Sequence, residues 1–487
     1  MSFDALVVGG GISGLSTAYF LLQDLRAAQP GEGDGPRVKV VEAAPRVGGS
    51  LGTEVVDGFL FERGPNGLLD NAPDTFDLIR ALGIENKLLP ASPRSANRYL
   101  VRQGNLQPLP RSLGAFINTR VLSLKGKLGL LLEAIRSRAR DAADESVAEF
   151  GRRRLGQEVV DALLDPMVTG IYAGDVKALS MKSCFPRMAR LEQEHGSLAR
   201  GMLGSWKKKA SGAGSSSPFS AVLQSFEGGL QTLSGALSDV LGDRIETGRS
   251  VESARPSDEG WRVGFADGRE ETARSLVLAL PACRAGSLFS GPHSALGEEL
   301  AAISYSSVVV ACLGYRAEDV ESDLDGYGFL VPSSEGLQTL GMIWTSSIFP
   351  GHAPEGHVSV RAMLGGVRSP GLAAKGDEEL IDLVERETGD VLGIQGRPVA
   401  QRIYRYEQAI PQYEVGHRAR LDNIESRLEA LPGLFLTGNS YRGVSVNDCI
   451  REGKKTAKEV SGYLGKAVPS PAPRPPPPPP DEASKLS

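Results

Sequence analysis

Cysteine and histidine are scarce in this chain, and where they occur they do not cluster. Cys184, Cys283, Cys312 and Cys449 lie far apart with no CxxC pair, which removes a disulfide framework and a zinc ribbon from consideration. His195, His293, His352, His357 and His417 form no HxH or HExxH set, so no metal site is expected. No Ser-His-Asp or Cys-His arrangement reads out of the sequence either, and no catalytic nucleophile or acid–base residue is assigned. Apolar runs stop well short of the roughly 20 residues that span a bilayer. No signal-peptide pattern precedes the strand-like Phe3–Val8. The expectation is a soluble, cytoplasmic protein. A formal charge of −5 argues against nucleic acid as a partner.

Glycine, by contrast, is abundant at 59 residues in a chain of 487. That length allows two or three domains, and so much glycine suits tight turns and close cofactor contacts. Residues 1–89 read as a strand, a helix over Gly14–Ala27, a linker at Pro30–Pro36 and a buried strand at Val38–Glu42. Residues 90–206 read as a mostly helical insert, with Leu122, Leu124, Leu128, Leu131, Leu132 and Ile135 at helical spacing. From Arg94 to Arg154 there are thirteen Lys or Arg against five Asp or Glu, a basic block in an acidic protein. Lys207–Pro218 reads as a linker. Residues 219–255 return to the first domain. Residues 256–420 read as an α+β unit, with a hairpin around Asp267-Gly268 and a helix near Glu378–Glu387. Residues 421–466 close the first domain, and 467–487 form a Pro-rich, extended tail.

The strongest motif is Val7-Val8-Gly9-Gly10-Gly11-Ile12-Ser13-Gly14, a GxGxxG that follows a strand and opens a helix. Gly9 permits the tight turn, Gly11 the approach of a pyrophosphate, and Gly14 close helix–strand packing. The helix N-terminus, with Ile12 and Ser13, offers free N–H groups to phosphate. A Gly-rich structural turn would show the same three glycines. Glu42 ends the next strand, where its carboxylate can accept ribose hydroxyls; alternatively it is a solvated strand end. Glu42 and Ala43 lead into Arg46-Val47-Gly48-Gly49-Ser50. The spacing ExxxRxGG is not demanded by a nicotinamide fold, so the pattern points to FAD rather than NAD. Gly64-Pro65-Asn66-Gly67 is a rigid turn suited to the edge of an isoalloxazine ring. Leu434–Asn439, then Gly443-Val444-Ser445-Val446, place a second helix N-terminus where it can stabilise a reduced flavin; an ordinary strand–helix connection has the same appearance.

These motifs, together with Gly170-Ile171-Tyr172-Ala173-Gly174-Asp175, Ser183-Cys184-Phe185-Pro186, Phe226–Leu230, Leu330–Ser334, Ile410-Pro411-Gln412-Tyr413, Gly416-His417 and Val446–Ile450, resemble one family. It is the oxygen-dependent protoporphyrinogen IX oxidases of the flavin amine-oxidase and phytoene-desaturase superfamily. The resemblance spans about residues 4–463. It implies a Rossmann-like FAD domain, a mixed-sheet substrate domain and a helical, membrane-apposed insert, so the fold class is α/β and α+β. It also implies six-electron oxidation of a tetrapyrrole in haem synthesis, with oxygen as acceptor and hydrogen peroxide as product. FAD contacts would fall on Gly9, Gly10, Gly11, Ile12, Ser13, Gly14, Glu42, Ala43, Arg46, Gly49, Ser50, Gly64, Pro65, Asn66, Gly67, Val251 on the adenine side, Tyr406, Val444, Ser445 and Val446. Substrate contacts would fall on Arg98, for a carboxylate, and on Gly170, Leu330, Ile343 and Met363. Many eukaryotic relatives carry Arg directly after the Gly-Pro turn, where this chain has Asn66. The family also implies a homodimer, peripheral contact with the inner face of the cell membrane and a neighbouring haem-pathway enzyme as partner.

Other readings stay open at this stage. They are a superfamily oxidase or desaturase acting on an amine or carotenoid, a porphyrin carrier with structural FAD, and an NAD-dependent dehydrogenase. Arg98 also reads as one solvated arginine among many. The basic, leucine-rich Arg120–Arg140 reads either as a surface for an anionic bilayer or as a helix packed on its own domain.

Overall fold

The computed structural model describes residues 2–28, 35–136, 143–201 and 221–466. Most of the linker expected at Pro30–Pro36, all of that at Lys207–Pro218, the Pro-rich tail and residues 137–140 of the basic stretch lie outside the described residues.

A mixed sheet organises the N-terminal part. Its order runs Ile245–Glu246, Val38–Val41, Phe3–Val8, Glu270–Leu278, Gly260–Phe265 and Val251–Ser257, with Leu434–Leu436 on the other side of Glu270–Leu278. The five strands at 245, 38, 3, 270 and 434 pair in parallel. Within Phe3–Val8, Ala5–Val8 is a continuous apolar run because helices or loops cover both its faces. The hairpin expected at Asp267-Gly268 forms, pairing Trp261 with Ala273. The first helix runs Ile12–Ala28. Against it lies the last helix, Val446–Leu464, started by a capping box in which Ser445 and Asp448 bond each other's backbone N–H groups. Gly453 lets the two helices meet: a Cβ there would lie 2.5 Å from the Ser16 hydroxyl.

The second sheet is antiparallel except at one joint. Its order is Ala400–Pro411, Tyr305–Arg316, His357–Gly365, Thr339–Ile343, Gly328–Leu330, Tyr99–Arg102 and Asn105–Pro108. One face carries Val309, Ala311, Leu313, Val360, Ala362 and Leu364 into a core beneath helix Asp377–Leu392. The alternate residues Val308, Val310, Cys312, Met363 and Tyr406 turn the other way, toward Phe59 and Phe61.

Among the described residues of 90–206, α-helix begins only at Leu113. Before it come a 3-10 turn at Pro93–Ala96 and the hairpin Tyr99–Arg102 and Asn105–Pro108, whose first strand completes the second sheet by pairing with Phe329 and Leu330. The leucine spacing that signalled helix starts at residue 122, and the four-residue strands before it are too short for a period to register. Beyond the hairpin come helices Leu113–Asn118, Leu124–Leu131, Val147–Arg154, Asp165–Tyr172 and Pro186–His195. Ahead of Asp165 the helix widens to a π-turn over Val160–Leu164.

Candidate functional site

The first glycine turn has the shape that a phosphate cradle requires. Gly9 has φ +108° and its N–H donates to Val41 carbonyl at 2.8 Å. A Cβ on Gly14 would collide with the Gly9 carbonyl, whereas a Cβ on Gly11 would meet nothing within 4 Å. Tight packing on one side and open space on the other is what a bound pyrophosphate needs. Glu42 accepts the N–H groups of Gly10 at 2.6 Å and Ala44 at 2.8 Å. Ala43 lies between these partners.

The ExxxRxGG loop folds onto this turn. Gly48 N–H donates to Gly10 carbonyl at 2.8 Å, and Gly11 pairs with Gly48 as an isolated bridge. Arg46 reaches the carbonyls of Val47, Leu51 and Gly49. Gly49 has a φ of +58°, and a Cβ there would come 3.2 Å from Gly11 Cα. Ser50 then abuts Gly64, whose Cβ position is filled by the Ser50 carbonyl. Thus Gly64-Pro65-Asn66-Gly67 stands directly beyond the phosphate loop. Asn66 is 7% exposed, and neither of its amide atoms has a partner.

The C-terminal segment joins the same place. Gly438 packs beside Ser13, Val446 is buried with Ile12 and Leu15, and Asn447 donates to Leu69 carbonyl at 2.9 Å. Tyr413 donates its hydroxyl to Asn439 carbonyl and stacks on His417, which contacts Tyr441 carbonyl at 3.1 Å. The Ile410–Tyr413 and Gly416-His417 motif therefore braces the loop that carries Val444 and Ser445. Tyr406 donates to Arg63 carbonyl at 3.1 Å, beside the turn. Val251 opens the strand next to Gly248 and Arg249, and it is these two that bond the Glu42–Ala44 strand end.

Arg98, Gly170, Leu330, Ile343 and Met363 all line one cavity of about 470 Å³. Its walls include Leu100, Leu163, Met167, Tyr327 and Phe329. Leu163 comes from the π-turn, a feature frequent at functional sites. Gly170 is forced by proximity, since a Cβ there would lie 2.6 Å from Leu330 Cδ2. Arg98 is exposed at the edge, its guanidinium 5.4 Å from the Tyr327 ring. Burial pushes the Tyr327 phenol above its ordinary value, and Arg98 and Arg361 pull against that. Asp165 holds the cavity's helix in place. It accepts Ser333 N–H and hydroxyl at 2.7 and 2.6 Å and pairs with Arg368 at 3.1 Å.

A larger cavity of about 680 Å³ lies between Leu100–Arg102 and helix Leu124–Leu131. Its lining contains none of the residues expected to meet substrate.

Arg361, in strand His357–Gly365, joins the two halves of the site. It donates to Gly64 carbonyl, while its register partner Ile343 lines the cavity. Sequence reasoning missed it, although an arginine inside the apolar run Val358–Leu364 was the available signal. Glu62 was missed as well. It is buried, accepts Leu230 N–H at 2.7 Å and Thr53 hydroxyl at 3.0 Å, and burial raises its pKa to about 7 against those bonds.

The comparisons agree with this geometry. The profile described as flavin containing amine oxidoreductase matches residues 12–461. The coproporphyrinogen III oxidase of Bacillus subtilis (strain 168) is 30% identical, over 94% of this chain and 98% of its own. The protoporphyrinogen oxidase of Homo sapiens is 33% identical, over 95% and 99%. A solved chain from Exiguobacterium sp. 255-15 superposes with a TM-score of 0.80 at 27% identity, covering 95% of this chain and 99% of that one. With a family match over residues 12–461, the chain belongs to the flavin containing amine oxidoreductases, and its cofactor is FAD.

Proposed function

We propose that this protein oxidises protoporphyrinogen IX to protoporphyrin IX, with oxygen taking the electrons and leaving as hydrogen peroxide. The observation that carries the reading is the apolar cavity with the Arg98 guanidinium in its lining and a wall strand that reaches the Gly64 turn. A volume of about 470 Å³ falls within the usual range for small-molecule sites. Leu330, Ile343 and Met363 offer the ring an apolar surface. Arg98 binds a propionate through parallel N–H bonds. Gly170 lets the ring approach the helix backbone. FAD, when bound, accepts the electron pair that leaves a substrate C–H bond.

Among the described residues, the cavity lining contains Arg98, Tyr99 and Tyr327 but no carboxylate and no imidazole. Burial keeps Tyr327 protonated at neutral pH. The pyrrole proton accordingly leaves to water through the mouth. Anaerobic mixing with protoporphyrinogen IX is expected to bleach the oxidised-flavin absorbance, and oxygen to restore it with peroxide release. Binding without bleaching would point to a carrier, and bleaching by an amine or carotenoid alone would point to another oxidase of the family.

Coproporphyrinogen III is the second reading, favoured by the name of the Bacillus relative. This substrate carries four propionates. Near Arg98, Arg111 donates to Asn97 at 2.8 Å, and Arg94 pairs with Asp325, which also bonds Asn97. Two further guanidiniums thus stand by the mouth. The ratio of kcat/KM for the two porphyrinogens decides between them.

We also propose peripheral membrane contact. Among the described residues no helix is long and apolar enough to cross a membrane. Yet Ile117, Leu124, Leu128, Leu131 and Ile135 are exposed together, Leu124 at 83%, beside Lys125 and Lys127. Such a face suits an anionic bilayer surface. Cosedimentation with anionic vesicles, lost in L124E/L131E, supports the contact; equal binding by the variant removes it. Cytoplasmic residence, a homodimer and hand-over to a neighbouring pathway enzyme belong to the same proposal, and analytical ultracentrifugation tests the dimer.

A further inference from the structure

Arg361 is a buried guanidinium whose charge no carboxylate neutralises directly. It is 5% exposed and shares its strand face with Met363, opposite the face that carries Val360, Ala362 and Leu364 into the core. In register beside it stand Cys312 and Ile343. One Nη donates to Gly64 carbonyl, the Cys312 thiol bonds the guanidinium, and Nε has no partner among the described residues. Among the described residues no acidic oxygen lies within ion-pair distance of it. Glu62 is a carboxyl that feels its charge; it is engaged with Thr53 and Leu230, and burial raises its pKa to about 7. Asn66, two residues past Gly64, adds a buried amide with both atoms unbonded.

Leaving such groups without acceptors is strongly unfavourable, so they persist where a ligand completes them. The ligand is expected on the cofactor side. Arg361 does not line the substrate cavity, but it touches the turn that abuts the phosphate loop through Ser50. Its field reaches Tyr406 on one side and Tyr327 on the other.

We propose that Arg361, seconded by the amide of Asn66, faces the flavin ring and stabilises the negative charge deposited there when substrate is oxidised. The electron pair leaves a substrate C–H bond as hydride, the pyrrole N–H proton goes to water, and oxygen later takes the pair with two protons as hydrogen peroxide. A fixed cation near the ring makes the first transfer more favourable. The inference rests on FAD occupying the cradle and not on which porphyrinogen is the substrate.

The test uses purified holoenzyme and two readouts that need no substrate: the midpoint potential of the bound flavin by dye equilibration, and the affinity for sulfite, which adds to the oxidised ring and leaves it negative. In R361Q the two-electron equilibrium is expected to shift about ten-fold toward the oxidised form, about 30 mV, with sulfite binding weakened by a similar factor. R361K recovers most of both, and R98Q alters neither. A flavin-replete R361Q with unchanged potential and sulfite affinity overturns the proposal. So does a rise in KM for a porphyrinogen at unchanged potential, which would assign Arg361 to a substrate carboxylate. If R361Q and R361M fail to hold flavin while R361K holds it, the cation itself is required and the proposal stands; if R361K fails too, the role is structural and it falls.

Discussion

Replacing Gly170 with alanine tests whether the 470 Å³ cavity is where the substrate ring lies. Gly170 sits inside helix Asp165–Tyr172 with ordinary helical backbone, so alanine imposes no strain there. The new methyl would stand 2.6 Å from Leu330 Cδ2 and 3.3 Å from Cδ1. Carbon atoms settle about 3.5–4.0 Å apart, so the Leu330 tip must retreat by about 1 Å. The obstructing atoms are the free end of a side chain on a cavity wall, which can turn without moving backbone. The cost to folding should therefore fall below the roughly 1–3 kcal/mol of overpacking a filled core. The retreating tip takes up the space assigned to the ring. A loss of about 1.4 kcal/mol in binding is a ten-fold rise in KM. The assay is the initial rate of porphyrin fluorescence against porphyrinogen concentration, with flavin content measured by absorbance. A ten-fold higher KM with full flavin content and little change in melting temperature is expected. Wild-type KM and kcat in a flavin-replete G170A would refute the placement.

Three further outcomes follow from particular contacts. R98Q removes a charge-assisted bond of about 1.5–3 kcal/mol, so KM should rise about 10- to 100-fold; an unchanged KM would mean the carboxylates are held elsewhere. G14A drives a methyl into the Gly9 carbonyl, and the protein should purify without FAD or not fold; a yellow, stoichiometric G14A would disprove the cradle. Glu62 is raised by burial from 4.5 to about 7. A carboxyl whose folded pKa is raised stabilises the fold at low pH and loses that contribution as pH rises from about 4.5 through 7. The loss is about 3 kcal/mol at about 1.4 kcal/mol per unit. Denaturant titrations from pH 4.5 to 8 should therefore show a fall in stability in wild type that is absent in E62Q; equal slopes would contradict it.

The cofactor half was legible because it depends on backbone. A GxGxxG between strand and helix works through glycines that remove Cβ atoms at fixed places, and those places can be counted along the chain. Glu42, Arg46 and Gly49 were candidates for the same reason: they follow at fixed spacing, and the structure folds them back onto the glycine turn. The substrate half was legible only through resemblance. Arg98, Gly170, Leu330, Ile343 and Met363 come from five separate segments, and no local pattern links them.

Other features needed the folded chain. Arg361 and Glu62 become notable only when burial removes water from a guanidinium and a carboxyl, and burial is a property of the packed sheet. The strand Tyr99–Arg102 was read as part of a helical region because four residues are too few to display a period, and its partner Phe329 lies more than two hundred residues away. Short-range sterics and hydrophobic periodicity fixed the glycine turn between strand and helix, the hairpin at Asp267-Gly268 and the long helices from the sequence alone. Only the tertiary structure decided which side chains share one cavity and which charges stand without water, because both depend on contacts between residues far apart in the chain.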